Sequence, residues 1–542
     1  MRKKLGASTI MHASLALTVA GLVLAGCSNE KEGGSEAAKN APVNDKVNAT
    51  GLPIAKEPMT IKMVVKKSDN DKTSWQEKES IKKAQQETGL KFEITEIPGM
   101  AWNEKIGIMI ASNDLPDVIV GGIPNLSLYI DSFRPLNGLV DKYAPTLVKL
   151  YGKHPEYKVA GTLPDGNLYS LPLLQTTGNY ANVAFSINKV WLDKLNLKVP
   201  TNTDELYQVL KAFKDKDPNG NGKADEIPYS FYNEQSYGLD PMLWNFGLMN
   251  DGQTNVMVDK GKVIFVPSDP RYYDYLVYLN KMYKDGLIDP DGFVQKNADY
   301  VAKGKKGVLG FFNHHSYDDI VVGTDKASEY IDILPMKDKS GNILALGNKV
   351  PGDFVYDAFV VTKKAQNPEA LVRLYEYFNS SFDSRMLFSF GPENVVWSKV
   401  QGDKWEKATK LPTGFNNFAE LRHTQSPGMN GFYLLMDEDN DRLNVTDPRD
   451  VKVKQKQTLY TPYLKKDVIP LGQDSAEVLK ERTTMATEIN TYLSNFLAQS
   501  IMKGIDDAGW KEHLDKLKKL NVDKYVSGYQ QFYDRAQKLM GK

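Results

Sequence analysis

A single cysteine, Cys27, stands in 542 residues, so no disulfide can close within the chain and its fold must be held by burial of apolar surface. The position of that cysteine narrows matters further. It closes the sequence Leu24-Ala25-Gly26-Cys27, after a basic start (Arg2, Lys3, Lys4) and an apolar run over residues 13–24. A positive start, a short apolar segment and small residues before a cleavage point are the parts of a secretory leader. A run of about 12 apolar residues falls short of the ~20 that span a bilayer core. Residues 1–26 are therefore expected to be removed, leaving roughly 500 residues, room for two or three domains of ordinary size.

Lys and Arg total 68, as do Asp and Glu, and without the leader's three bases the balance turns slightly acidic. Such a chain has no global field to attract nucleic acid, and no nucleic-acid partner is expected. Residues 28–57 are rich in Ser, Asn, Glu, Lys, Gly, Ala and Pro without apolar periodicity, and residues 27–57 read as a flexible tether. A leader that ends on cysteine resembles a bacterial lipoprotein signal. The resemblance implies acylation of Cys27, cleavage ahead of it, and a lipid anchor at the extracellular face of the cytoplasmic membrane, as in a Gram-positive bacterium.

From residue 59 the pattern alternates. Residues 59–65 read as a strand, then come a polar loop over 66–75, a helix through Thr88, a strand over 91–97, a helix over 102–111 and a buried strand over 118–120 ending at Gly121-Gly122. Strand, helix, strand, helix, strand implies a parallel α/β layer, in which loops after the carboxyl ends of strands line the ligand crevice. Further on, residues 183–187 read as a strand, Thr203 as the cap of a helix with Leu206, Leu210 and Phe213 on one face, and Asn367-Pro368-Glu369 as another helix start with Leu371, Leu374, Tyr375 and Phe378 at helical spacing.

Together, Trp102-Asn103 and 111–117, Asp165-Gly166 with Tyr169 and Pro172, Trp191-Leu192-Asp193-Lys194-Leu195 and Asp507-Ala508-Gly509-Trp510 resemble the family 1 extracellular solute-binding proteins of carbohydrate ABC importers, including the alginate-oligosaccharide-binding proteins. The similarity covers about residues 58–540. It implies an α/β, two-lobed, periplasmic-binding-protein-like fold, each lobe a sheet flanked by helices, joined by a multi-strand hinge. Lobe 1 is expected from 58–175 plus about 357–425, and lobe 2 from 176–356 plus about 426–542. Hinge crossings are expected near 172–180, near 354–359, and between 395 and 430. The resemblance also implies a monomer that captures an oligosaccharide and hands it to the transmembrane subunits of an ABC importer. Many relatives carry Arg where this chain has Asn188, a departure that bears on specificity for anionic sugars.

One local motif is sharper. Oxygen side chains fall at every second position in Asp217, Asn219 and Asn221, followed by Gly222, the carbonyl of Lys223, and Asp225. That is the spacing of an EF-hand calcium loop counted from Asp217, with Gly at the sixth position for the turn. Position 12 is Pro228 in place of the usual Glu, and the adjacent Glu226 is the candidate to replace it, as in the alginate-binding relatives. All-oxygen donors suit Ca²⁺ in a structural role; a metal-free Asx/Gly turn is the competing reading. A second acidic run at 437–441 lacks the glycine and reads as a solvated turn.

Sugar sites combine aromatic platforms with oriented polar groups. Trp75, Asn125, Tyr180, Trp244, His314 and Trp397 fall in or beside expected cleft loops and are the candidate ligand contacts, with core packing the competing reading for each aromatic. His314-His315 on a strand would point to opposite faces, which argues against a shared metal. The chain has no zinc-protease, nucleophile-elbow or P-loop motif, so no enzyme is expected. A sugar- or peptide-sensing receptor and a carboxylate-pair glycosidase are the alternatives.

Overall fold

A computed structural model describes residues 45–542 apart from 70, 176–182, 233–237, 251–253, 315–317, 348–352, 409, 416–417 and 447. Its strands are β1 (Met59–Lys67), β2 (Leu90–Pro98), β3 (Val118–Val120), β4 (Ser170–Gln175), β5 (Ala184–Asn188), β6 (Ile227–Ser230), β7 (Val256–Asp259), β8 (Lys262–Phe265), β9 (Leu309–His314), β10 (Tyr330–Ile333), β11 (Asp353–Val361), β12 (Trp397–Val400), β13 (Lys404–Lys407) and β14 (Leu434–Leu435). They form a six-stranded sheet ordered β14-β4-β11-β3-β1-β2, a four-stranded sheet ordered β10-β5-β9-β6, and the hairpins β12-β13 and β7-β8.

The first sheet has the pattern expected of a layer covered on both faces. Met63, Val65, Val118 and Val120 point into one apolar cluster, whereas Val64, Ile119 and Val360 point into another, because successive strand residues face opposite sides. The helices Glu79–Thr88 and Trp102–Ser112 are the crossovers that parallel pairing of β1 with β2 and β3 requires. The second sheet repeats this arrangement: Phe185, Tyr229 and Phe311 enter one core, Phe312 and Tyr330 the other. The helices Ala476–Lys503 and Val522–Leu539 pack with the β7-β8 hairpin around a third core containing Phe265, Leu493 and Tyr525.

Two expectations about boundaries change. The helix of residues 203–215 is capped by Asn202, whose side chain accepts from the Glu205 N–H, rather than by Thr203, its first helical residue. Residues 432–436, assigned from sequence to the second lobe, belong to the first. Phe432, Tyr433 and Leu434 lie in its core, and β14 pairs in parallel with β4. The acidic run beyond it is not a solvated turn either. Asp437–Asp441 is a short helix, and Asp439 is buried in a two-pronged pair with Arg385 (2.7 Å on each oxygen).

The hinge follows from this. β4 leads toward β5, β11 returns from the second half, and β14 precedes the last departure, so the three stand side by side at one end of the sheet. The third crossing is later than expected and is made by the helix Pro448–Tyr460. Its Asp450 pairs with Lys407 of the first half (2.7 Å). Its Arg449 and Lys452 pair with Asp319 and Asp318 of the second half (2.8 and 3.0 Å), and Tyr460 donates to the Ile333 carbonyl (2.5 Å) inside the second core.

Candidate ligand crevice and cation loop

β1, β2, β3, β4 and β14 run in one direction and end on one edge of the first sheet, the edge from which the chain leaves for the second half. Carboxyl edges of such sheets hold ligands. At that edge Gly121 and Gly122 have φ of 129° and 85°, and a Cβ on Gly121 would lie 2.3 Å from the Lys66 Cβ. Only glycine allows the turn to pass so near β1. The turn is held by Trp102, whose indole N–H donates to the Gly122 carbonyl (2.7 Å), and by Asp357, which accepts from the Ile123 N–H (2.8 Å). Asp357 lies on β11 where its pairing with β4 slips between Val355 and Phe359. Burial pushes its carboxyl up to about 6, against the opposing pull of the Ile123 N–H and the Lys66 charge.

The β1 loop is built on two further carboxylates. Glu96 accepts from Lys67 (2.9 Å), the Ser74 hydroxyl (2.8 Å) and the Trp75 N–H (2.5 Å); burial would raise its pKa, but these partners hold it below the ordinary range. Lys78 and Asp71 form a fully buried pair at 2.9 Å, and Lys78 also donates to the His423 carbonyl (2.6 Å). Burial pushes the Lys78 ammonium down, with Asp71 acting against it. Beside this pair, Arg422 joins the last residue of β4 to the approach of β14. It donates to Gln175 Oε1 (3.3 Å), to the Tyr433 hydroxyl (2.8 Å) and to the Ser389 carbonyl (2.7 Å).

On the second half, β9 and β6 run parallel and end together. His314, expected in a loop, is the last residue of β9 and is buried. Its Nε2 lies 2.9 Å from Asp332 Oδ1, to which the Ser186 hydroxyl also donates (2.8 Å). Burial would raise the Asp332 pKa, but His314 and Ser186 hold it below the usual carboxylate range. Because the serine proton goes to the carboxylate and not to the imidazole, this group is not wired to activate a nucleophile.

The structure disperses the ligand contacts expected from sequence. Trp75 is 1% exposed and meets the Phe388 ring edge-on in the first core. Trp244 is 2% exposed, edge-on to Phe185 in the second. Trp397 is equally buried, its indole N–H on the Gly391 carbonyl (2.9 Å). All three indoles are taken up by core packing in this conformation, so none offers a face to a sugar. Asn125 is exposed, at a φ of 55° just beyond the Gly121-Gly122 turn. Tyr180, His315 and Cys27 lie outside the described residues. Asp357, Arg422 and Gln175 were missed from sequence. The one signal available for Asp357 was an acid interrupting an apolar strand.

The cation loop closes on itself. Asp217 accepts from the N–H groups of Gly220, Asn221 and Gly222 (3.0, 3.1 and 3.0 Å), while the Asn219 and Asn221 amides donate to Asp225 (3.0 Å each). Both carboxylate oxygens of Glu226 are shut off from solvent with no hydrogen-bond partner. Burial raises its pKa, the backbone N–H groups of Glu226 itself and of Asn219 act against that rise, and the Asp217 and Asp225 charges add to it. The acids alone make no cage. Among the described residues no three His, Cys, Asp or Glu could hold a metal ion, so a cation here would depend on Asn219, Asn221 and the Lys223 carbonyl as well. An orphaned buried carboxylate beside two acids and two turnable amides fits a hard cation.

Residues 72–381 match the family model described as bacterial extracellular solute-binding protein. The fructooligosaccharide ABC transporter substrate-binding protein FusA of Streptococcus pneumoniae is 27% identical over 557 aligned positions, covering 98% of each chain. Its structure in complex with kestose superposes with a TM-score of 0.72 at 26% identity, over 88% of this chain and 99% of that one. The same figures hold for a FusA structure described as an EF-hand mutant in complex with fructo-nystose.

Proposed function

Because this chain belongs to the bacterial extracellular solute-binding protein family, we propose that it captures an oligosaccharide between its two lobes and delivers it to the transmembrane subunits of an ABC importer, without chemical change to the sugar. The similarity to FusA along 98% of both chains carries the reading. In this proposal lobe 1 comprises 58–175 and 353 to about 443, lobe 2 comprises 176–352 and the remainder, and acylated Cys27 holds the body by its tether at the outer face of the cytoplasmic membrane. Ligand contacts to both lobes favour the closed form by their differential affinity, and the importer reads that closed form. Asp217, Asn219, Asn221, the Lys223 carbonyl, Asp225 and Glu226 would hold Ca²⁺, which would neutralise the buried Glu226 and fix the loop after the helix Thr203–Asp215.

The test is thermal unfolding of the body from about residue 28 with kestose, longer fructooligosaccharides and uronate oligomers. A sugar at 100 times its Kd adds about 2.7 kcal/mol, a visible rise in midpoint. A rise with sugar recovered intact after hours supports the reading. Cleavage of the sugar would replace it by a glycosidase, and no rise with any sugar would withdraw it.

A further inference from the structure

Arg422 stands on the helix Phe418–Gln425, at the carboxyl edge of the first sheet. Its orientation is fixed from behind. Nε donates to the Ser389 carbonyl (2.7 Å), Nη2 to the Tyr433 hydroxyl (2.8 Å) and Gln175 Oε1 (3.3 Å), and the Phe390 ring lies 4.2 Å from the guanidinium carbon. The third nitrogen, Nη1, bonds no described residue, and no carboxylate of the described residues pairs with the guanidinium. The side chain is half-buried, so a strongly donating edge is held rigid and left open beside the last residue before the first hinge crossing. A planar fork locked on one side by neutral acceptors and a ring is preorganised to donate from the other.

Resting on the functional reading above, we infer that Arg422 is a ligand-contacting residue whose Nη1 edge donates to paired oxygens on the captured sugar. Vicinal hydroxyls and a carboxylate both present that acceptor pair. Kestose and an oligogalacturonate separate the two sources.

The experiment is calorimetric titration of each sugar into the wild-type body, Arg422→Ala, Arg422→Lys and Tyr433→Phe, with thermal midpoints as the folding check. For whichever sugar the wild type binds, Arg422→Ala should weaken binding by about tenfold or more, the scale of a lost charged hydrogen bond. Arg422→Lys keeps the charge and a stem over Phe390, and should fold while recovering only part of the loss. Tyr433→Phe removes one support but leaves Nη1 and the anchors at Ser389 and Gln175, and should change affinity several-fold less than Arg422→Ala does. Undiminished affinity in Arg422→Ala would overturn the contact, as would a Tyr433→Phe loss equal to that of Arg422→Ala, since Arg422 would then be a positioning residue. A wild type that binds neither these sugars nor any of the wider panel overturns the functional reading and this contact with it. A wild type that binds as well as its Arg422 variants do overturns the contact alone.

Discussion

Asp357 is buried where a carboxylate is ordinarily avoided, and its pKa near 6 makes stability depend on pH in a definite direction. A pKa raised in the folded state adds stability that is complete below the unfolded value near 4 and lost as pH climbs through about 6. Against Asp357→Asn, whose amide oxygen can still accept from the Ile123 N–H, the wild type should lose about 2–3 kcal/mol between pH 4 and pH 7; denaturant titrations of both proteins at several pH values measure this. Asp439 is buried as well, but its charge is paired with Arg385. Asp439→Ala would strand the buried Arg385 guanidinium and should cost about 3–5 kcal/mol in urea unfolding. Neither role could be read from sequence. Asp439 sits in an acidic run that looks solvated, and its partner is 54 positions away. Arg422 lies in a helix whose sequence is unremarkably polar, and nothing local marks the ring and carbonyl that orient it.

Elements were more legible where their physics is local. Residues 59–120 show their strands as apolar runs and their helices as spaced apolar faces, and the parallel layer follows. The loop proposed to hold a cation is local in the same sense, since its oxygens are set by spacing within one segment. With calcium the wild-type midpoint should rise, and chelation should reverse it. Glu226→Gln should abolish that response. Without calcium and at neutral pH it should leave the midpoint equal or higher, because burial already disfavours the charged form of Glu226; calorimetric scans with and without chelator check both halves. The helix Pro448–Tyr460 was not legible as a crossing. Its sequence is mostly charged and polar, and it is positioned by ion pairs to Lys407, Asp318 and Asp319, partners far away in sequence that no apolar periodicity announces.

At the scale of the molecule, the strands β4, β11 and β14, next to which the chain passes between the halves, lie side by side in the first sheet, while each half keeps its own apolar core. Saturation with a bound sugar should reduce the radius of gyration in small-angle scattering, with little change in far-ultraviolet circular dichroism, as lobe closure without refolding requires. The same strand order bears on how the chain is made. β4 is flanked in the sheet by β11 and β14, both of which are synthesised long after it. A chain emerging N-terminus first holds β4 with no neighbour on either side until residues 353–361 and 434–435 have appeared. The six-stranded sheet therefore cannot be complete before residue 435 has been made, about a hundred residues after the last strand of the four-stranded sheet at 330–333, so the half that begins the chain is the later of the two to have all its strands.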